Sequence, residues 1–268
     1  MGIVFTFLDL VIQPTMYSYH AGFTYFSETF SHKKIFSKNI QYLICSSYSA
    51  MHCSTMAFIA VQFLFRYWAL ISSEKLRWFD GYRLYIWVGY SILMGVLWDI
   101  AASSTVANDE FGIDYFRDKL SEVYASNIDD LPVYTVVAYE NEKLRINALI
   151  CTVCLLSLLF IQYAIVIFCA IRMKMVIKEN LPKFSKSQRK LQKQFYIALM
   201  IQISAPSLII HFPILPLFLL PFFNFQSVDL ETSFLISTFS AYPLIDTLII
   251  LLVIGEYKEA IRNMLIVP

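Results

Sequence analysis

The segment from Ser185 to Phe223 limits what this chain can become more than any other. Its first nine residues carry Lys186, Arg189, Lys190 and Lys193. From Phe195 onward no ionised side chain follows until Asp229, and His211 is the one group between them that titrates near neutrality. At about 1.5 Å per residue, that apolar stretch crosses a hydrocarbon core of roughly 30 Å as a helix, with length left for tilt or bending. Lys and Arg gather at cytoplasmic helix ends, so the helix starts inside and finishes outside. Pro206, Pro213, Pro216 and Pro221 lie along it. In water they would break the helix; in a bundle, neighbouring helices satisfy the carbonyls that proline frees. Two readings stand: a fixed bend, or an element that moves.

The rest of the chain agrees with a membrane setting. Of its 268 residues 58% are hydrophobic and only 15% charged, which excludes a soluble globular domain. Apolar runs at 2–26, 40–71, 84–106, 146–171, 195–222 and 232–254 predict six spans. The fold class is therefore all-α, a polytopic membrane helix bundle forming one domain over 1–268. Asp9, Gln13 and Pro14 interrupt the first run.

The net charge of +1 conceals a strong segregation. Residues 107–145 hold nine acids against four bases, a local charge of −5, whereas 172–194 hold eight bases against one acid, a charge of +7. The positive-inside rule then makes 172–194 and the tail cytoplasmic, and makes 107–145 and the Asp229 loop extracellular. Met1 falls on the cytoplasmic side, and the loop with Lys33 and Lys34 falls outside, against the rule. The 107–145 segment is expected to carry a short helix near 111–124 but no core of its own. Trp68, Trp78, Trp87 and Trp98 are expected at the headgroup boundary. The five cysteines form no His/Cys cluster at metal spacing, and Cys45 with Cys151 or Cys154 is a candidate disulfide. No catalytic or nucleotide-binding motif occurs, so neither catalysis nor a cofactor or metal is expected.

Ionisable groups within a bilayer are costly and therefore informative. The topology puts Asp9 in the inner half of the first span, Arg66 near the inner end of the second, and Asp246 in the inner half of the last. These three are expected to meet as a polar switch. The alternative is that Arg66 snorkels to the phosphates while each acid is protonated or bonded to a hydroxyl. His52 and His211 are mid-span, either as ligand contacts or as satisfied core residues. Lys183, Lys186, Lys190 and Lys193 follow 3-4-3 spacing, which suits docking of an acidic partner as well as a plain topology signal.

Four stretches carry a resemblance: Leu8-Asp9-Leu10-Val11-Ile12-Gln13-Pro14; Phe65-Arg66-Tyr67-Trp68; Leu191-Gln192-Lys193-Gln194-Phe195 with Ala198-Leu199, Gln202 and Pro206; and Tyr242-Pro243-Leu244-Ile245-Asp246. In this order the chain resembles the nematode seven-transmembrane chemoreceptors of the Str superfamily, the str and srj serpentine receptors. The resemblance implies a G-protein-coupled receptor at the plasma membrane of a sensory neuron cilium. Such a receptor detects a small odorant or pheromone, signals through a heterotrimeric G protein and binds no nucleic acid. It also implies that Arg66 and Tyr67 stand at the inner arginine motif, and Tyr242, Pro243 and Asp246 at the final-helix proline motif. Pro206 then bends the fifth span, and Lys186, Arg189, Lys190 and Lys193 contact the G protein. Thr247 replaces the proline that usually follows the acid of the last motif, which lessens the bend. Met1 falls where the family's second helix begins, so six spans are expected out of seven. Rival readings are a transporter or channel using buried acids, and a truncated remnant that does not signal.

Overall fold

The computed structural model describes residues 2–27, 29, 36–124, 127–180, 185–223, 229–231, 244, 247, 248 and 251. The apolar run at 2–26, expected as one span, is instead a helix followed by a hairpin. Helix α1 (Gly2–Ile12) covers 11 residues, about 16 Å, or half a hydrocarbon core. Pro14 has no amide hydrogen and steers the residue before it out of the helical region. Gln13 takes φ +45°, and its N–H reaches back to the Asp9 carbonyl at 2.9 Å. The Ser27 hydroxyl and the Thr29 hydroxyl both donate to the Ile12 carbonyl, which would otherwise lack a helical partner. Strands β1 (Pro14–Tyr19) and β2 (Gly22–Ser27) then pair antiparallel, from Pro14 with Ser27 to Tyr19 with Gly22.

The long elements follow. Helix α2 (Lys38–Ile71) is joined to α4 (Leu84–Thr105) by a short turn containing α3 (Ser73–Leu76). The segment between α4 and α6 (Ile146–Asn180) holds α5 (Glu110–Tyr124), β3 (Tyr134–Val137), β4 (Tyr139–Glu140) and β5 (Lys143–Leu144). Three described helices are long and apolar enough to cross a membrane: Lys38–Ile71, Gly81–Thr105 and Ile146–Glu179.

Helix α7 (Lys186–Pro206) begins nine residues before the expected 195, because Ser185 and Gln188 form a reciprocal capping box. The Ser185 hydroxyl accepts from the Gln188 N–H at 3.3 Å, and the Gln188 side chain accepts from the Ser185 N–H at 3.2 Å. The helix continues through a π-turn at Ser207–His211 into α8 (Phe212–Leu219) and a final 3-10 turn at Leu220–Phe223. Pro213 supplies the reason for the π-turn. In a regular α-helix its ring would collide with the carbonyl four residues back, and the wider turn spares that contact. The sixth expected span, 232–254, lies almost wholly outside the described residues.

Lipid offers helices no hydrophobic drive to associate, so close packing of small residues must do it. The α2–α4 seam uses Gly95: a Cβ there would stand 2.1 Å from Ser54 Oγ and 2.8 Å from the Ala50 carbonyl oxygen. Tyr90 joins α4 to α6 by donating to Gln162 Oε1 at 3.0 Å.

At one end of the bundle a four-stranded antiparallel sheet has the order β3-β2-β1-β6, with β6 at Asp229–Glu231. It gathers three loops that are far apart in sequence. Alternation gives the sheet two apolar faces. Met16, Phe23, Tyr134 and Val136 join the main core, while Tyr17, Phe26 and Val137 pack with Phe116, Leu120, Ile128, Leu131 and Val133 in a second core under α5. The 107–145 segment, expected to lack a core, thus has one, because the hairpin contributes Tyr17 and Phe26 to it. Arg145 fastens this unit to the bundle through two 2.7 Å bonds to the Asp109 carboxylate.

An apolar cavity with a paired-histidine floor

Beneath the sheet lies a cavity of about 120 Å³. Its roof is the underside of the sheet: Met16, Phe23, Tyr25, Tyr134 and Val136. Trp98 and Ala102 of α4, Leu155 and Leu159 of α6, and Ile214 and Phe218 of α8 form the walls. Two tyrosines pin the roof to α2: Tyr25 donates to the Cys45 carbonyl at 3.1 Å and Tyr134 to the Tyr42 carbonyl at 3.0 Å. Tyr139 likewise donates to the Phe222 carbonyl at 2.9 Å.

His52 and His211, 159 residues apart, meet on the lining of this cavity with Nε2 atoms 3.0 Å apart. His211 is the last residue of the π-turn. Its Nδ1 lies 2.8 Å from the Tyr163 hydroxyl, which is also 2.8 Å from Ser207 Oγ. The Ser207 hydroxyl donates to the Ile203 carbonyl at 2.6 Å. This chain of polar contacts links α2, α6 and both ends of the π-turn. Sequence reading singled out the two histidines but not Tyr163 or Ser207, whose partners only the packed bundle brings near.

Asp9 accepts from the Tyr48 hydroxyl at 3.0 Å, next to the cavity that Tyr48 lines. It therefore lies at the sheet end of the bundle. Arg66 is 18 residues beyond Tyr48 on α2, about 27 Å along the axis, so Asp9 and Arg66 do not meet. The bond to a neighbouring hydroxyl accounts for Asp9. The Arg66 guanidinium instead sits 4.1 Å over the Phe195 ring of α7. Tyr67 is buried, packs edge-on against Phe168 and accepts from Arg172 Nε at 3.5 Å. Pro206 is buried just before the π-turn. Lys186, Lys190 and Lys193 are exposed on α7, while Arg189 is half-buried. Tyr242, Pro243 and Asp246 lie outside the described residues, as does Lys183.

All five cysteines are free thiols, with Cys45 and Cys151 buried and Cys154 exposed, so no disulfide forms among them. Trp98 is not at a headgroup boundary but buried in the cavity wall. Trp68 and Trp87 do cluster with Phe79 at the opposite end of the bundle, where the Phe79 and Trp87 rings stack 4.8 Å apart.

The described residues thus form a helical membrane bundle with an apolar cavity at one end and an arginine–aromatic contact at the other. The chain belongs to the Str family, described as serpentine type 7TM GPCR chemoreceptors, whose profile matches residues 1–262. It is accordingly a multi-pass membrane protein of a receptor family, not an enzyme. The G-protein coupled receptor str-33 of Caenorhabditis elegans is 34% identical over 271 residues, which cover 98% of this chain and 78% of the relative. Serpentine receptor class r-10 of C. elegans is 23% identical over 274 residues, 98% of this chain and 78% of the relative. Its Caenorhabditis briggsae namesake is 22% identical over 271 residues, 97% and 76%. No solved structure matches the chain.

Proposed function

We propose that the chain is a chemosensory receptor that binds a small environmental molecule under the outer sheet and signals through a heterotrimeric G protein on the inner side. The observation that carries this reading is the apolar cavity with His52 and His211 on its lining. Small-molecule sites are mostly apolar with a few placed polar groups, which is the make-up of this one. An apolar cavity of about 150 Å³ holds benzene, so about 120 Å³ suits a ligand of about five or six non-hydrogen atoms, the size of a volatile compound.

The ligand acts by favouring one of two packings, and a molecule that bound both equally would shift nothing. The polar chain from His52 through His211 and Tyr163 ends on α7, whose other end carries Phe195 against Arg66 and the basic residues Lys186, Arg189, Lys190 and Lys193. In this reading a change at the π-turn alters the α7 inner end and opens a cleft for the G protein. Family membership supports the plasma membrane of a sensory cilium as the site of action.

The test is a heterologous calcium or cAMP assay with an odorant panel. A response is expected from the unmodified chain, and its concentration dependence is expected to shift at least tenfold in His211→Ala. Silence from a surface-labelled chain across the panel would overturn the receptor reading.

A further inference from the structure

We propose that the cavity selects a small alcohol over the ketone of the same skeleton, and that Tyr163 is the positioning residue that sets this preference. The proposal rests on the reading of the cavity as the ligand site, and it concerns the chemical class that the site accepts. It follows from one assignment of the protons in the polar chain, the one in which the Ser207 hydroxyl donates to the Ile203 carbonyl.

The Ser207 proton is committed to the Ile203 carbonyl, 2.6 Å away. Ser207 Oγ therefore accepts from the Tyr163 hydroxyl at 2.8 Å, and the single Tyr163 proton is committed there. The Tyr163 oxygen can then only accept from His211 Nδ1, also at 2.8 Å, so His211 carries its proton on Nδ1. A neutral His211 presents a bare Nε2, and the 3.0 Å contact makes His52 Nε2–H the donor. The floor thus displays one donor, from His52, and one acceptor, on His211, bonded to each other while no ligand separates them.

A hydroxyl is both donor and acceptor. Seated between the two rings, it accepts from His52 Nε2–H and donates to His211 Nε2, so two hydrogen bonds replace one. A ketone oxygen only accepts. It takes the His52 N–H, gains no bond overall and leaves His211 Nε2 buried without a partner in an apolar cavity. Orphaning a buried acceptor lowers affinity by about tenfold to a hundredfold. Shape does not decide between the two, because the alcohol and ketone of one skeleton differ by two hydrogens.

Tyr163 sets this polarity without touching the ligand, since it is absent from the cavity lining while both histidines are on it. In Tyr163→Phe, Nδ1 of His211 loses its hydroxyl acceptor and the ring keeps only the Pro206 carbonyl beside it, so the proton is held less firmly on Nδ1 and shifts in part to Nε2. Both rings can then point an N–H at one oxygen, which is the arrangement that a ketone prefers.

The experiment measures binding of 2-pentanol and 2-pentanone to the purified full-length chain in lipid nanodiscs, read as the saturable fluorescence change lost in Trp98→Phe. The expected result is at least tenfold tighter binding of the alcohol, with the ratio falling towards one in Tyr163→Phe. Ser207→Ala provides a second route to the same collapse: the Tyr163 proton is released to His211 Nδ1 while the tyrosine itself remains. Equal or tighter binding of the ketone to the unmodified chain, binding of neither probe, or an unchanged ratio in both variants would overturn the proposal. The readout involves no G protein, so a failed signalling assay with the binding ratio intact would count against the receptor reading alone.

Discussion

Arg145 fixes the sheet-end unit chiefly through the Asp109 carboxylate, with Glu140 3.5 Å from its Nε as a second, more exposed partner. Its two 2.7 Å bonds to Asp109 form a bidentate pair, both side chains are only 15% exposed, and the guanidinium also lies 4.7 Å over the Phe111 ring. Removing one partner of such a pair strands the other charge, so Arg145→Met is expected to cost about 2–3 kcal/mol, somewhat below the loss for a fully buried pair. Thermal unfolding in nanodiscs measures this, and adding Asp109→Leu is expected to restore part of the loss. Tyr134 gives a prediction with a pH sign. Burial pushes its hydroxyl up to about 12, so the fold favours the protonated form that donates to the Tyr42 carbonyl. That contribution is fully present below the ordinary tyrosine value near 10 and is lost as pH rises through about 12. Protection from hydrogen exchange over 134–137, taken relative to the unfolded chain at the same pH, is expected to fall in that window, and Tyr134→Phe is expected to lessen that fall. Residues of this kind differ in how far the sequence announces them. His52 and His211 stand out as rare titratable groups in apolar runs. Tyr163 does not, since a tyrosine in a span has no spacing that reveals partners 44 and 48 residues away.

At the scale of elements, the apolar runs of α2, α4 and α6 are legible because nothing but a helix satisfies its own backbone in lipid. The hairpin at 14–27 is not legible from hydropathy. Its two faces enter two different cores, so it carries large apolar side chains on both faces and no charge, like a span, and Gln13-Pro14 marks the break. The early start of α7 had a local signal in Ser185 and Gln188, whereas the π-turn has only Pro213 to suggest it. The α2–α4 seam is the element contact most sensitive to a single atom. Gly95→Ala would place a methyl 2.1 Å from Ser54 Oγ and 2.8 Å from a backbone oxygen. The expected cost is about 1–3 kcal/mol, from a forced separation of the helices. Ser54→Ala in the same chain is expected to relieve only part of it, because the Ala50 carbonyl cannot yield without moving α2. The comparison is made by thermal unfolding of the single and double variants, and full rescue would show that the side chain, not the helix backbone, sets the approach.

For the whole molecule, the decisive property is that the two ends are chemically opposite. One end carries the sheet, α5 and the acidic 107–145 segment; the other carries Arg66, Arg172 and the basic start of α7. Charge of this kind is read by the insertion machinery through Lys and Arg in short loops, and acids contribute little. The +7 segment at 172–194 should therefore outweigh the −5 segment and fix the orientation. The receptor reading needs this orientation, because a G protein meets only the cytosolic face. A cysteine at Glu122, whose side chain is 70% exposed on α5, is expected to react with a membrane-impermeant maleimide on intact cells. A cysteine at Lys190, exposed on α7, is expected to react only after permeabilisation. The background is the exposed native Cys154, so both are read against Cys154→Ala. Labelling of the Lys190 position on intact cells would place the basic face outside, and the path from the paired histidines to a cytosolic partner would then have no partner to reach.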